Sequence, residues 1–141
     1  MECGECMACC KSLPIDDIKL VKANNVICQH CDKGCRIYDD RPESCVNFNC
    51  VFIEDGYDIS LRPDKTGVIF EKITTKIYLA LLDEDYLDRW ETPEMLRHIE
   101  NYNNQGISVV ISSFSTGIID TKCTEAHDPN KVLEIVLRFK Q

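Results

Sequence analysis

Nine of the ten cysteines in this chain fall within its first 50 residues, and that crowding constrains the fold more than any other feature. They stand in two blocks: Cys3, Cys6, Cys9 and Cys10, then Cys28, Cys31, Cys35, Cys45 and Cys50. A hydrophobic core has no use for thiols at these spacings, whereas short loops that wrap a metal ion do. The two-residue gaps from Cys3 to Cys9 let a tight loop point three sulfurs at one centre. Zinc takes four sulfurs tetrahedrally at about 2.3 Å, and an iron–sulfur cube takes three closely spaced cysteines plus a remote fourth, so both chemistries fit. Adjacent side chains diverge, so Cys9 and Cys10 are expected to serve different centres, or only one of them to be a ligand.

In the second block, Cys28 and Cys31 have the spacing of a zinc knuckle, and Gly34 frees the backbone for a turn just before Cys35. Asp39 and Asp40 followed by Pro42 read as a helix start that sets Cys45 within a short helix. Tyr38 and Phe48 are expected to shield the centre from water. His30 is a possible ligand, but with so many thiols nearby it reads as a supporting or surface residue. Between the blocks, Ile15, Ile18 and Val21 lie three apart, which predicts a helix over 13–23 ended by Asn24-Asn25. Asp16 and Asp17 then read as acids of its first turn rather than as ligands.

The pattern Cys3-x-x-Cys6-x-x-Cys9-Cys10, followed by Cys35-x-Ile37-Tyr38-x-x-Arg41-Pro42-x-x-Cys45-x-x-Phe48, resembles the bacterial YkgJ-type cysteine-cluster family, the zinc- or iron-chelating CxxCxxCC domain. The likeness covers about a third of the chain and preserves the order of two separate motifs. It implies a metal-chelating domain, in some relatives described as iron–sulfur containing; similar blocks also occur in flagellin lysine methylases. By motif position it implies Cys3, Cys6, Cys9, Cys10, Cys35 and Cys45 as ligands, while Cys28, Cys31 and Cys50 join the set on spacing and proximity. The chain departs from the family at Val46, where many relatives carry arginine.

Charge narrows the partners. The formal net charge is −8 with an isoelectric point near 4.8, so neither nucleic-acid backbones nor anionic membrane surfaces are natural partners. Thiolates around divalent ions would make the chain more negative still. No apolar stretch approaches the roughly 20 residues of a membrane helix, and no basic region followed by an apolar run marks a secretory leader. The expected compartment is the cytoplasm, where thiols stay reduced and a dense cysteine pattern reads as metallic rather than as a five-bridge extracellular knot.

Beyond Cys50 one cysteine remains, Cys123, and the pattern becomes that of a packed scaffold. Residues 51–59 read as a strand around a turn at Asp55-Gly56, and Arg62 to Gly67 as a turn. Residues 68–82 are rich in branched and aromatic side chains, predicting one long strand or two shorter ones. Residues 83–90 turn acidic and can begin a short helix. Thr92-Pro93-Glu94 supplies a cap, a first-turn proline and an early acid, predicting a helix with Met95, Leu96, Ile99 and Tyr102 on one side and Gly106 as its stop. Ile107 to Phe114 reads as a strand, Thr116-Gly117 as a turn before Ile118-Ile119, and His127-Asp128-Pro129 as the start of a last helix.

These elements predict an α+β fold: a small sheet with helices, and an irregular cysteine-rich metal-binding lobe at residues 1–50 joined to a scaffold at 51–141 in one compact domain. Cys123 with Glu125, His127 and Asp128 reads as a small buried side chain rather than a nucleophile or third metal site, His98 as surface or a satisfied core residue, and Trp90 as core or rim. The function expected is a cytoplasmic protein coordinating zinc through thiolates in one or two sites, with a possible protein partner. An iron–sulfur protein, such as one holding a 4Fe-4S cluster, with redox or methyl-transfer-like activity is the alternative. No glycine-rich nucleotide loop and no acid–base pair is assigned, so catalytic residues stay unknown.

Overall fold

The computed structural model describes residues 4–140 as a mixed α+β fold with two small sheets and, among those residues, six α-helices. The larger sheet is built from β3 (Val68–Thr74), β4 (Ile77–Leu82), β5 (Ser108–Ser113) and β6 (Gly117–Lys122), adjacent in that order. β3 and β4 form an antiparallel hairpin, as do β5 and β6, while β4 and β5 run parallel. A parallel pair needs a crossover, and α5 (Pro93–Asn104) supplies it. Residues 68–82 are therefore two strands, not one.

Side-chain alternation along these strands divides the core in two. Phe70, Ala80, Leu82, Val109 and Ile111 face α5, packing with Met95, Ile99 and Tyr102 and with Trp90. Ile69, Ile77, Leu79, Leu81 and Val110 face the other way, against Val132 and Val136 of α6 (Pro129–Phe139). Every residue of β4 is buried, as suits a central strand covered on both faces. Both long helices start where the sequence signals. The Thr92 hydroxyl accepts from the Met95 N–H at 3.2 Å, the Asp128 carboxylate accepts from the Asn130 N–H at 3.0 Å, and each helix carries proline in its first turn.

Three local expectations are corrected. Residues 13–23 do not form a helix but a hairpin of β1 (Ile15–Asp17) and β2 (Leu20–Lys22), because the Asp17 carboxylate accepts from the Lys19 N–H at 3.0 Å and fixes a tight turn. Residues 51–59 do not form a strand: α3 (Val51–Asp55) is helical, and Val51 and Phe52, neighbours in sequence, are both buried, which one strand face cannot achieve. The acidic stretch at 83–90 yields only a 3₁₀ turn at Arg89–Glu91. Short helices α1 (Ala8–Ser12), α2 (Glu43–Val46) and α4 (Pro63–Thr66) complete the fold. No described helix is long and apolar enough to cross a membrane.

The amino-terminal lobe sits on the α6 side of the sheet, where Ala8, Cys9, Leu13, Phe48 and Cys50 pack against the second half of the core. Polar ties hold it there. The Lys11 ammonium donates to Asp83 at 2.9 Å and Asp85 at 2.7 Å, and the Lys72 N–H donates to the Asn49 carbonyl at 2.9 Å. Cys50 pairs with Glu71 on the outer edge of β3, so the lobe covers that edge at Glu71 and Lys72.

Candidate metal centre

Two backbone contacts bring the cysteine blocks together. The Cys28 N–H donates to the Cys10 carbonyl at 2.9 Å. Gly34, at φ +117°, packs so tightly on Gly4 that a β-carbon would overlap the Gly4 carbonyl oxygen. Glycine is required there twice over, for the positive φ and for the close approach. Cys6 precedes α1, and Cys9 and Cys10 ride on it. Cys3 lies outside the described residues.

The second block follows a different path for each thiol. Cys28, Cys31 and Cys35 belong to a small hairpin in which Cys31 faces Cys35. Beyond a 3₁₀ turn at Tyr38–Asp40, Pro42 opens α2, and Cys45 rides on that helix as its sequence predicts. The Asp17 carboxylate of the β1–β2 turn accepts from the Ser44 N–H at 3.4 Å, placing an acid at the amino end of α2. Cys50 ends the block on the sheet edge.

These segments enclose a cavity of about 490 Å³. Cys6, Cys9 and Cys10 line it from the first block, and Cys28, Cys35, Cys45 and Cys50 from the second. Cys6 and Cys28 are buried and the others half-buried. Tyr38 and Phe48 line it too, as expected of shielding residues, and Ile15, Leu20, Ile53, Ile69 and Phe114 make the remainder of its wall largely apolar. Cys31 does not line it, nor does Cys123, which packs among the apolar residues around α6. Among the described residues, no three His, Cys, Asp or Glu side chains are gathered into a ready ligand set. The thiols share a chamber rather than a point.

By chemistry the donor set fits a soft or borderline metal: thiols in excess and a shielded, low-polarity surround. Cys10, Cys28, Cys31, Cys35, Cys45 and Cys123 are free thiols. The Cys28 sulfur accepts from the His30 N–H at 3.5 Å. Burial pushes the Cys45 thiol above its ordinary value, the charges of Cys35 and Cys28 add to that, and Arg41 opposes it. Arg41 and Lys140 are cations in the cavity wall, and Lys22 stands outside that wall but close to the thiols. The Lys22 ammonium donates to the Lys11 and Ala23 carbonyls at 3.1 and 3.0 Å. Burial lowers its pKa against the pull of Cys28, Cys10, Cys9 and Cys45.

The remaining candidates fall elsewhere. The His30 ring meets the Gln29 amide rather than the cavity, and Asp16 points away on the hairpin's exposed side. His127 pairs with the buried Ser108 hydroxyl at 2.7 Å, a polar clamp beneath the sheet. His98 lies among the rings of Tyr57, Phe70 and Tyr102, with centroids 4.6–5.4 Å away. Sequence reasoning missed Lys22. The signal was present in the alternation of Ile15, Asp17, Leu20 and Lys22 toward one hairpin face, but a helical reading of 13–23 hides it. The chain matches no family model, no curated protein and no solved structure.

Proposed function

We propose that this chain is a thiolate metal-binding protein, with zinc held between its two cysteine blocks. The observation that carries the reading is that seven cysteines from two separate blocks line one cavity. The ligands are drawn from Cys6, Cys9, Cys10, Cys28, Cys35, Cys45 and Cys50, with Cys3 and Cys31 as further candidates from the motif and its spacing. Bound zinc would supply cohesion rather than reactivity, because a site closed by four thiolates has no open position for water or substrate. The chain's own residues would do the rest. Lys22 offsets thiolate charge, and Tyr38 and Phe48 exclude water. The likeness to the CxxCxxCC family supports the same reading, as does the acidic charge, which leaves nucleic acid and anionic membranes without a counterpart. The compartment that goes with it is the cytoplasm, and the scaffold's surface is available to a protein partner.

A second reading, an iron–sulfur protein with redox or protein-modifying activity, is favoured by volume. A water molecule takes about 30 Å³, so a cavity of about 490 Å³ exceeds what one ion and its ligands use. Elemental analysis of protein purified anaerobically without added metal separates the two. A colourless sample with one or two zinc atoms per chain supports the first, and a brown sample with iron and inorganic sulfide supports the second. A chain that carries neither and takes up neither on reconstitution would overturn both.

A further inference from the structure

The hairpin at 31–35 holds its two thiols in a geometry that metal binding does not require. The Arg36 N–H donates to the His30 carbonyl at 2.9 Å, the Asp32 N–H donates to the Gly34 carbonyl at 3.0 Å, and Cys31 faces Cys35 between these two bonds. In an antiparallel ladder, the pair lying between two such bonds is the non-hydrogen-bonded one. Its Cα atoms approach to about 4.5 Å and its side chains leave on the same face. A disulfide spans Cα separations of about 4.4 to 6.8 Å, a range that includes the ordinary spacing of such a pair. Both are free thiols, half-buried. Gly34 is locked on Gly4 and Lys33 is held at φ +55°, so the loop joining them is already folded into the closed form.

We propose that Cys31 and Cys35 are a reversible redox pair, joined by two-electron oxidation with a small-molecule disulfide as the oxidant. The Cys31 thiolate attacks one sulfur of that disulfide, forming a mixed disulfide and expelling one small thiolate. The Cys35 thiolate then attacks the Cys31 sulfur, forming the Cys31–Cys35 bond and expelling the second. Two protein thiols are oxidised, one small disulfide is reduced to two thiols, and the protons lost by the cysteines pass to those products. Cys31 stands off the cavity and Cys35 lines it, so the bond takes one sulfur out of the chamber. That consequence rests on the metal reading. The bond itself rests on the backbone.

The test uses the full chain and glutathione disulfide. After oxidation and alkylation of remaining thiols, trypsin cuts behind Lys22, Lys33 and Arg36. A Cys31–Cys35 bond therefore holds the tripeptide 34–36 on the peptide 23–33 in a non-reducing digest. The linked species is expected in the wild type and in Cys28→Ser, absent from Cys31→Ser and Cys35→Ser, and reversed by dithiothreitol. Recovery of an alkylated tripeptide from oxidised wild type, or a link that survives in Cys31→Ser, would overturn the pair. Zinc release to a chelating dye, followed in parallel on zinc-loaded protein, is expected to rise on oxidation in wild type and not in Cys31→Ser; release that is equal in the two overturns the coupling. A chain that forms the linked peptide but binds no metal keeps the pair and removes the metal reading, so the two failures are told apart.

Discussion

At Gly34 a single hydrogen atom decides whether the two cysteine blocks meet. Alanine there must hold φ +117° and place a methyl group on the Gly4 carbonyl oxygen. Gly4 itself, at φ +57°, has open space where a β-carbon would go, so Gly4→Ala carries only the left-handed penalty of about 1–2 kcal/mol. Gly34→Ala is expected to cost more than Gly4→Ala in urea denaturation and to lower metal uptake, because the hairpin must lift from the first block. Equal effects from the two substitutions would mean the contact does not join the blocks. His98 makes a different residue-scale prediction. Its Nε2 is buried and has no hydrogen-bond partner among the described residues, and burial holds its pKa below the ordinary 6.5. The folded state therefore favours the neutral ring. Above pH 6.5 both states are neutral and nothing is lost; as pH falls below it the unfolded chain takes up the proton first, so stability drops until the folded-state pKa is passed. His98→Phe keeps a ring among Tyr57, Phe70 and Tyr102 and removes the proton site. Unfolding free energy measured between pH 7 and 5 is expected to fall less steeply in the variant than in the wild type.

At the scale of elements, what was legible in the sequence is what local chemistry settles alone. Thr92-Pro93-Glu94 announces α5 because cap, proline and acid all act within one turn, and Asp128-Pro129 announces α6 in the same way. Thr92→Ala is expected to cost about 1 kcal/mol, the usual worth of such a cap, read as a lower thermal midpoint with the native spectrum kept. A loss of several kcal/mol would mean that Thr92 does more than cap. Residues 13–23 and 51–59 were misread because neighbours distant in sequence decide them. The spacing of Ile15, Ile18 and Val21 is helical, yet Ile18 and Val21 end fully or largely exposed, and Asp17 closes a turn that also meets the start of α2. Val51 and Phe52 carry strand propensity, yet Val51 is buried in the α5-side core while Phe52 lines the cavity, and Asp55 at the helix end accepts from the Tyr78 hydroxyl at 3.1 Å. Tertiary contacts override propensity in short elements, since a single turn carries little intrinsic stability of its own.

Across the whole molecule, the two cysteine blocks and their donor chemistry were legible in the sequence, but how the thiols divide was not. Spacing alone treats Cys31 like Cys28 and Cys35. Cys35 lines the cavity and Cys31, its cross-strand neighbour, does not, and the hairpin that carries both is seated by Gly34 on Gly4, a contact between residues thirty apart. The two parts of the chain also differ in what holds them. The scaffold has two apolar layers against a fully buried central strand, whereas the lobe has short helices, a three-residue-strand hairpin and few apolar contacts apart from those it makes with the sheet. If metal binding is the lobe's main cohesion, its free energy is part of the lobe's folding free energy. Removing metal with a strong chelator under reducing conditions is then expected to loosen residues 4–50 while β3, β4, β5 and α5 stay folded. Amide hydrogen exchange reads this directly. The Cys28 N–H bonded to Cys10 and the Arg36 N–H bonded to His30 should lose protection, and the amides of β4 should keep it. Unchanged protection in the lobe would show that packing and the ties from Lys11 and Cys50 suffice without metal. Loss throughout the chain would show one cooperative unit, with the sheet dependent on the centre at its edge.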